Sequence, residues 1–390
     1  GQLAPLGSQY RGAGKKSECV RVVHQGLFLC LLFPPLLLLV AYLGAPMLIA
    51  FFAHEESLAQ NELSYFRILS FTVLTTSLRQ VFANFFVGLG QSRIVTLASA
   101  SGFFLNLPLA YGLIFGEFGL PALGIEGAAL GTVIASTMPV IILALAFLRK
   151  PIREEYGTAS TPALRPLLLM QLLRYGFPAG MEMLVNVSGF LFFTMLMYSF
   201  SPDVAAATTI VLNWDMVCFV PLLGVSQAVG GLVGKYLGAE RPDLALRSAW
   251  NSLKIGWIYA GFITFSYLTF TDFLIGLFAP EGLQSFAGVL PYARTMLLIS
   301  CFYFLFDATY AVLGGILKGA GDTLWTMAVS NSCMWGCALL IYFSRDAVGL
   351  TPVGAWIVLT TMVFLLGCVY FWRFWQGRWL KRLMIETPVP

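Results

Sequence analysis

Charge is what this 390-residue chain has least of: Asp, Glu, Lys and Arg make up 11% of it, against 58% hydrophobic residues. A water-soluble chain cannot bury that much apolar surface, so a soluble domain is excluded and a polytopic membrane protein is expected. Histidine is nearly missing. The two present, His24 and His54, stand at the ends of apolar runs, a poor place for a pH sensor. The seven cysteines lack metal-ligand spacing and read as small packing residues, and only Cys333 and Cys337, one helical turn apart, could form a redox pair. No signal peptide, HExxH, GK[ST] or GxSxG within an apolar run occurs, which removes the usual signatures of zinc, P-loop and serine-hydrolase chemistry. Period-2 alternation is also absent, which argues against an outer-membrane barrel.

What is present is a series of apolar runs, each near the roughly 20 residues a spanning helix needs. They fall near 25–52, 64–88, 95–116, 127–148, 167–199, 205–234, 249–279, 290–317, 324–344 and 353–372, preceded by a stub at 1–9. Most basic residues lie in alternate connections: Arg11 to Arg21, Arg93, Arg149 to Arg174, Lys235 to Lys254, Lys318, and Arg373 to Arg382. The opposite connections hold Glu55, Glu56, Glu62, Glu117, Glu126, Asp203, Glu281 and Asp346. The basic side, and with it the C-terminus, is expected to be cytoplasmic. The Trp- and Arg-rich tail from Trp372 reads as an interfacial anchor.

The chain also repeats itself. "YRGAG" at Tyr10–Gly14 resembles "YLGAE" at Tyr236–Glu240, "VGLGQS" at Val87–Ser92 matches "KGAGDT" at Lys318–Thr323, and "GIEGAA" at Gly124–Ala129 matches "TPVGAW" at Thr351–Trp356. The offsets are all about 230 residues, which predicts two lobes related by an axis along the membrane normal. The second copy starts near Leu167, with about 60 residues before the position matching Gly1. By that arithmetic the first copy lacks one helix and most of another. The expected organisation is a first lobe over 1–150, a cytoplasmic linker over 151–165, a second lobe over 166–374 and a cytoplasmic tail over 375–390. Gly88, Gly90, Gly319 and Gly321, with Gly12 and Gly238, are expected to supply positive φ and close helix approach in the repeated turns. Pro34–Pro35, Pro46, Pro108 and Pro178 are expected to kink their helices.

The strings "GLGQSR", "LNLPLAYGLIFGEFGLPALGIEGAALGT", "RYGFPAG", "KYLGAERPDLA" and "FDATYAVLGGILKGAGDT", in this order and spacing, resemble the multidrug and toxic compound extrusion (MATE) transporters, the NorM-like branch in particular. The resemblance runs over essentially the whole chain. It implies an all-α, two-lobed bundle of twice six helices and an antiporter that exchanges H⁺ or Na⁺ for cationic, amphipathic drugs across the bacterial inner membrane. It further implies a monomer that works on small organic cations within membrane lipid, with no cofactor, no nucleic acid and no catalytic residue.

A charge at mid-bilayer costs at least about 2.5–3.5 kcal/mol, so carboxylates inside spans are candidates for function. Three stand near mid-depth, Glu182, Asp215 and Asp307, and all belong to the second lobe. Asp307 matches the family's cation-site aspartate. The family's Glu, eight residues after a helix proline, is replaced here by Asn186 after Pro178, with Glu182 one turn away on the same face. Asn can coordinate a cation but cannot carry a proton. A shared cation site of Asp307, Asp215 and either Glu182 or Asn186 is expected, leaning toward H⁺, with Asn213 and Trp214 beside it as a polar group and an aromatic wall. Trp214, Tyr310, Phe306, Met183 and Met216 could present π faces and polarizable surface to a cationic drug. Each of these residues has a structural alternative. Asp307 could be a neutral structural acid, Glu182 could line a lumen, and the aromatics could be core or lipid-facing. Arg79 reads as a cation snorkelling to the interface. A lipid-linked oligosaccharide flippase of the same superfamily is the rival function. It would favour a strongly cationic cleft, and the spans offer little beyond Arg67, Arg79 and Arg294.

Overall fold

The computed structural model describes residues 2–51, 56–158, 163–278 and 286–385. His54, Glu55, Glu281, part of the expected linker and the end of the tail lie outside the described residues. The described chain is helical throughout, with no strand. It divides into two compact units, residues 3–172 and 173–390.

The first unit contains α1 (Leu3–Gly12), α2 (Lys16–Phe51), α3 (Glu56–Leu69), α4 (Thr72–Gly88), α5 (Ser92–Phe115), α6 (Gly124–Leu148) and the short α7 (Lys150–Tyr156). α5 and α6 form the tightest hairpin, and α4 packs against α2 and α6. The hairpin depends on missing side chains, since a Cβ on Gly127 would lie 2.2 Å from the Leu113 carbonyl oxygen. The boundary between units falls inside α8 (Pro166–Tyr198), whose first turns bind back to the first unit through the Tyr10 hydroxyl and Gln171 Oε1, 3.3 Å apart.

The second unit continues with α9 (Pro202–Gly238), α10 (Pro242–Gly276), α11 (Val289–Ser300), α12 (Phe304–Gly319), α13 (Thr323–Val348) and α14 (Pro352–Trp375), then a 3₁₀ turn at Arg378–Lys381. α12 is its axis, packing on α9, α10 and α14. Among the described residues eight helices are long and apolar enough to cross a membrane, or nine if the bent pair α11–α12 counts as one span.

Two of the ten expected spans are broken. The run 290–317 divides into α11 and α12, which meet at 54°. The run 64–88 divides into α3 and α4 at Ser70–Phe71. The cause is the same in both. Amides at Cys301, Phe302 and Tyr303 donate three residues back, to Leu298, Ile299 and Ser300, and those of Phe71, Val73 and Leu74 do likewise. A short i→i−3 stretch overwinds the helix and turns its axis. The breaks are also repeat mates, because the offset that pairs Asp322 with Gln91 pairs Cys301 with Ser70. The prolines do not interrupt their helices. α2 runs unbroken through Pro34, Pro35 and Pro46, and α8 through Pro178. The non-helical residue inside α10 is Phe270, far from Pro242, which stands at the helix start. Neighbouring helices and local adjustments let spanning helices tolerate proline.

The repeated turns have one geometry. Gln91 donates to Phe86 O and Asp322 to Leu317 O; Lys15 donates to Tyr10 O and Arg241 to Tyr236 O. The glycines share the work unevenly. Positive φ belongs to Gly90, Gly321 and Gly14, and in the fourth turn to Glu240. Gly12 and Gly238 end their helices at negative φ. Gly319 serves close approach instead, since a Cβ there would lie 2.4 Å from Gly230 O.

Candidate functional site

α9 is fixed at its start by Ser201, whose hydroxyl accepts the Val204 amide at 3.2 Å, and by Pro202 in the first turn. Three to four turns on, it presents Asp215 toward α10 and the α11–α12 break. Tyr303, within that break, donates its hydroxyl to Asp215 Oδ2. Tyr267 of α10 lies with its hydroxyl 3.5 Å from Asp215 Oδ1 and 3.4 Å from Cys218 Sγ. Both tyrosines are buried, and Asp215 itself is half-buried against their hydroxyls. The Tyr303 carbonyl accepts the Asp307 amide at 2.8 Å. Asp307 therefore occupies the first turn of α12, not the middle of an unbroken span. The positive end of the α12 dipole favours an anion there. The Asp307 carboxylate makes no hydrogen bond or ion pair among the described residues, and it lies within electrostatic reach of Asp215 and Tyr303.

Glu182 and Asn186 belong to a second polar group. Glu182, 4% exposed, pairs with Lys318 Nζ at 2.8 Å and accepts the Thr326 hydroxyl at 3.1 Å. Asn186 donates to Asn331 Oδ1 at 2.7 Å and accepts the Ser330 hydroxyl at 3.1 Å. Tyr310 stands 3.1 Å from Ser330 Oγ and within electrostatic reach of both Glu182 and Asp307. The structure thus joins Asp215 to Asp307 and Glu182 to Asn186, with Tyr310 between the pairs. Glu182 makes its ion pair with Lys318 and has no direct contact with either aspartate among the described residues.

The aromatic and polar wall expected around Asp215 is built differently. The Trp214 indole N–H donates to Leu274 O at 3.0 Å and its ring packs edge-on against Phe278, so it anchors α9 to α10. Asn213 is exposed and donates to Thr209 O at 2.7 Å on its own helix. Phe306 packs on Phe364 with centroids 4.3 Å apart. Met183 and Met216 are exposed on their helices. Sequence reasoning missed Tyr303 and Tyr267, which read as core aromatics in apolar runs. The available clue was that Tyr303 is four residues before Asp307. It also missed Lys318, Thr326, Ser330 and Asn331, whose partners are set by tertiary packing alone. Among the described residues no group of three or more His, Cys, Asp or Glu side chains is placed to hold a metal ion.

A second buried charge cluster closes one end of the unit. Asp322, 1% exposed, accepts from Arg373 at 2.9 Å and from Arg382 at 2.7 Å. The Arg373 guanidinium lies over the Trp325 ring at 5.3 Å. These contacts fold the segment after α14 back onto the α12–α13 turn.

Comparison with known proteins gives a consistent picture. The MatE family profile matches residues 3–112 and 178–343. A probable multidrug resistance protein NorM of Thermotoga maritima is 26% identical over 385 residues, covering 96% of this chain and 79% of its own. The protein of that name from Pseudomonas putida is 29% identical over 335 residues, with 83% and 70% covered. A transporter of the MOP superfamily from Pyrococcus furiosus superposes with a TM-score of 0.88 at 17% identity, covering 98% of this chain and 84% of its own. A MATE crystallised with MaL6 gives 0.87 at 16% identity, with 97% and 84% covered. With the helical architecture, these matches show that the chain belongs to the MatE family, the transporters its motifs resemble.

Proposed function

We propose that the protein is a secondary antiporter that exports cationic, amphipathic drugs in exchange for H⁺ or Na⁺ by alternating access. The observation that carries this reading is the pairing of Asp215 and Asp307 around Tyr303 inside membrane-spanning helices. Two carboxylates in electrostatic reach repel when both are ionised, so the pair favours binding one cation. Loading the pair favours one conformation of the surrounding helices, and drug binding favours the other. In a one-for-one exchange with a monocationic drug no net charge crosses, so a ten-fold gradient of the driving cation, worth about 1.4 kcal/mol, sustains a drug gradient of about ten-fold. The names of the NorM relatives support the drug substrate. In this reading the protein is a monomer of the bacterial inner membrane with its C-terminus cytoplasmic, as the distribution of basic residues suggests. Asp307 is the principal coupling residue, Asp215 its partner, and Glu182 a structural acid.

The test is efflux of ethidium from liposomes containing the full-length protein, driven by a pH gradient and, separately, by a Na⁺ gradient. Wild type should concentrate the dye under one of the two gradients, and Asp307→Asn should abolish that response. Unchanged gradient-driven transport in Asp307→Asn would refute the assignment, and the absence of any cation transport would favour a lipid flippase.

A further inference from the structure

A groove of about 370 Å³ opens on the surface of the second unit between α10, α12 and α14. Trp257, Leu305, Phe306, Phe371, Trp372 and Trp375 form most of its lining, together with Gly367 and Cys368. Its few polar groups are already paired. The Trp257 indole N–H donates to Thr309 Oγ1 at 2.8 Å, and the Thr309 hydroxyl donates to Leu305 O at 2.7 Å. No carboxylate lines it, so a cationic drug would find no counter-charge there. Hydrocarbon would lose nothing by entering. From Gly367 to Trp375 the groove follows α14 for about 12 Å at 1.5 Å per residue, enough for a good part of an acyl chain.

One end of the groove is cationic. On α10, Trp250, Lys254 and Trp257 share a face, and Trp250 packs edge-on against Phe371 and Phe374 of α14. Lys254 is exposed at that end. The 3₁₀ turn after α14 packs against α10, with buried Trp379 stacked on Phe374, the ring that Trp250 also meets, and it carries the exposed Arg378 and Lys381. No ion pair engages Lys254, Arg378 or Lys381 among the described residues. Trp372 and Trp375, 60% and 71% exposed, flank the transition from apolar groove to basic rim. That order matches the layers of a bilayer leaflet, with indoles at the level where chains meet headgroups.

We infer that this groove is a binding site for an anionic phospholipid, with an acyl chain laid along α14 and the phosphate held by Lys254, Arg378 and Lys381. Juxtamembrane cations of this kind select negative headgroups over zwitterionic ones. The site belongs to the wall of the unit that carries Asp307, because Phe306 lines the groove and Asp307 is its neighbour on α12.

Native mass spectrometry of the full-length protein, with equimolar phosphatidylglycerol and phosphatidylcholine of identical chains, tests this. One phosphatidylglycerol per protein should survive collisional activation that strips phosphatidylcholine, with a preference of about ten-fold or more. The triple substitution Lys254→Ala, Arg378→Ala, Lys381→Ala should bring the ratio to near parity. Cys368→Trp, which puts an indole in place of a small lining residue, should displace both lipids while leaving the melting temperature near that of wild type. Equal retention of the two lipids by wild type overturns the inference, as does undiminished preference in the triple variant. If Cys368→Trp proves unstable, the triple variant alone decides, since its three side chains project from the surface.

Discussion

The hydroxyl of Tyr303 donates to Asp215 while the carbonyl of the same residue accepts the amide of Asp307, so one tyrosine in a broken helix holds both acids. Tyr303→Phe removes the donor and leaves a carboxylate oxygen without its partner, at a cost of about 1–3 kcal/mol. Thermal unfolding should fall accordingly, and the pH profile of transport should move because Asp215 loses the bond that stabilises its ionised form. Tyr267→Phe, which loses a longer contact, should move the profile less. A Tyr303→Phe protein with the wild-type profile would separate Asp215 from coupling.

Glu182 and Lys318 form an ion pair at 2.8 Å. Removing Glu182 as Gln should destabilise the second unit by about 1–3 kcal/mol, toward the lower end because the Lys318 side chain is 31% exposed. The double variant Glu182→Gln, Lys318→Gln should cost less than the sum of the two singles. Gradient-driven transport per folded protein should persist in both. Loss of coupling in Glu182→Gln at unchanged stability would return Glu182 to the cation site.

Gly315 packs so tightly on α9 that an added Cβ would meet the Ser226 carbonyl oxygen at 2.1 Å. Gly315→Ala should force α9 and α12 apart and cost about 1–3 kcal/mol or more. Gly176→Ala in α8, with nothing within 4 Å of the new methyl, should be neutral or stabilising by up to about 1 kcal/mol. Comparing the two melting temperatures checks the contact rather than helix propensity.

Lys16 donates to Glu155 of α7 at 2.9 Å, and this bond holds the Glu155 carboxyl below its ordinary range. A depressed folded-state value gives stability that is present above the unfolded value and is lost as pH falls through the folded one. Glu155→Gln should therefore lower the melting temperature slightly at pH 7, and the difference from wild type should vanish near pH 3. A difference that persisted in acid would point to packing rather than charge. Both side chains are about half exposed, so the effect should also shrink in high salt.

The membrane class, the repeat and most spans were legible because each rests on composition or on strings that recur. The breaks at Ser70–Phe71 and Cys301–Tyr303 were not, since a stretch of i→i−3 bonding has no residue type of its own. Proline drew attention to α2 and α8, where the helices run on. At the site, the acids could be picked out one by one because charge is rare here. Their grouping could not, since Glu182 meets Lys318 and Asp215 meets Tyr303 only through tertiary packing. Asp322 looked like a turn residue and proved to be the buried centre of two arginine contacts.

The paired breaks carry one more implication. At the offset that aligns them, Asp307 corresponds to Thr76. Both halves of the duplicated chain thus carry the same elbow, and one of them carries an acid at it. The first half has a neutral hydroxyl at the matching position. A carboxylate placed at Thr76 would show whether the elbow alone supplies a second foothold for a driving ion.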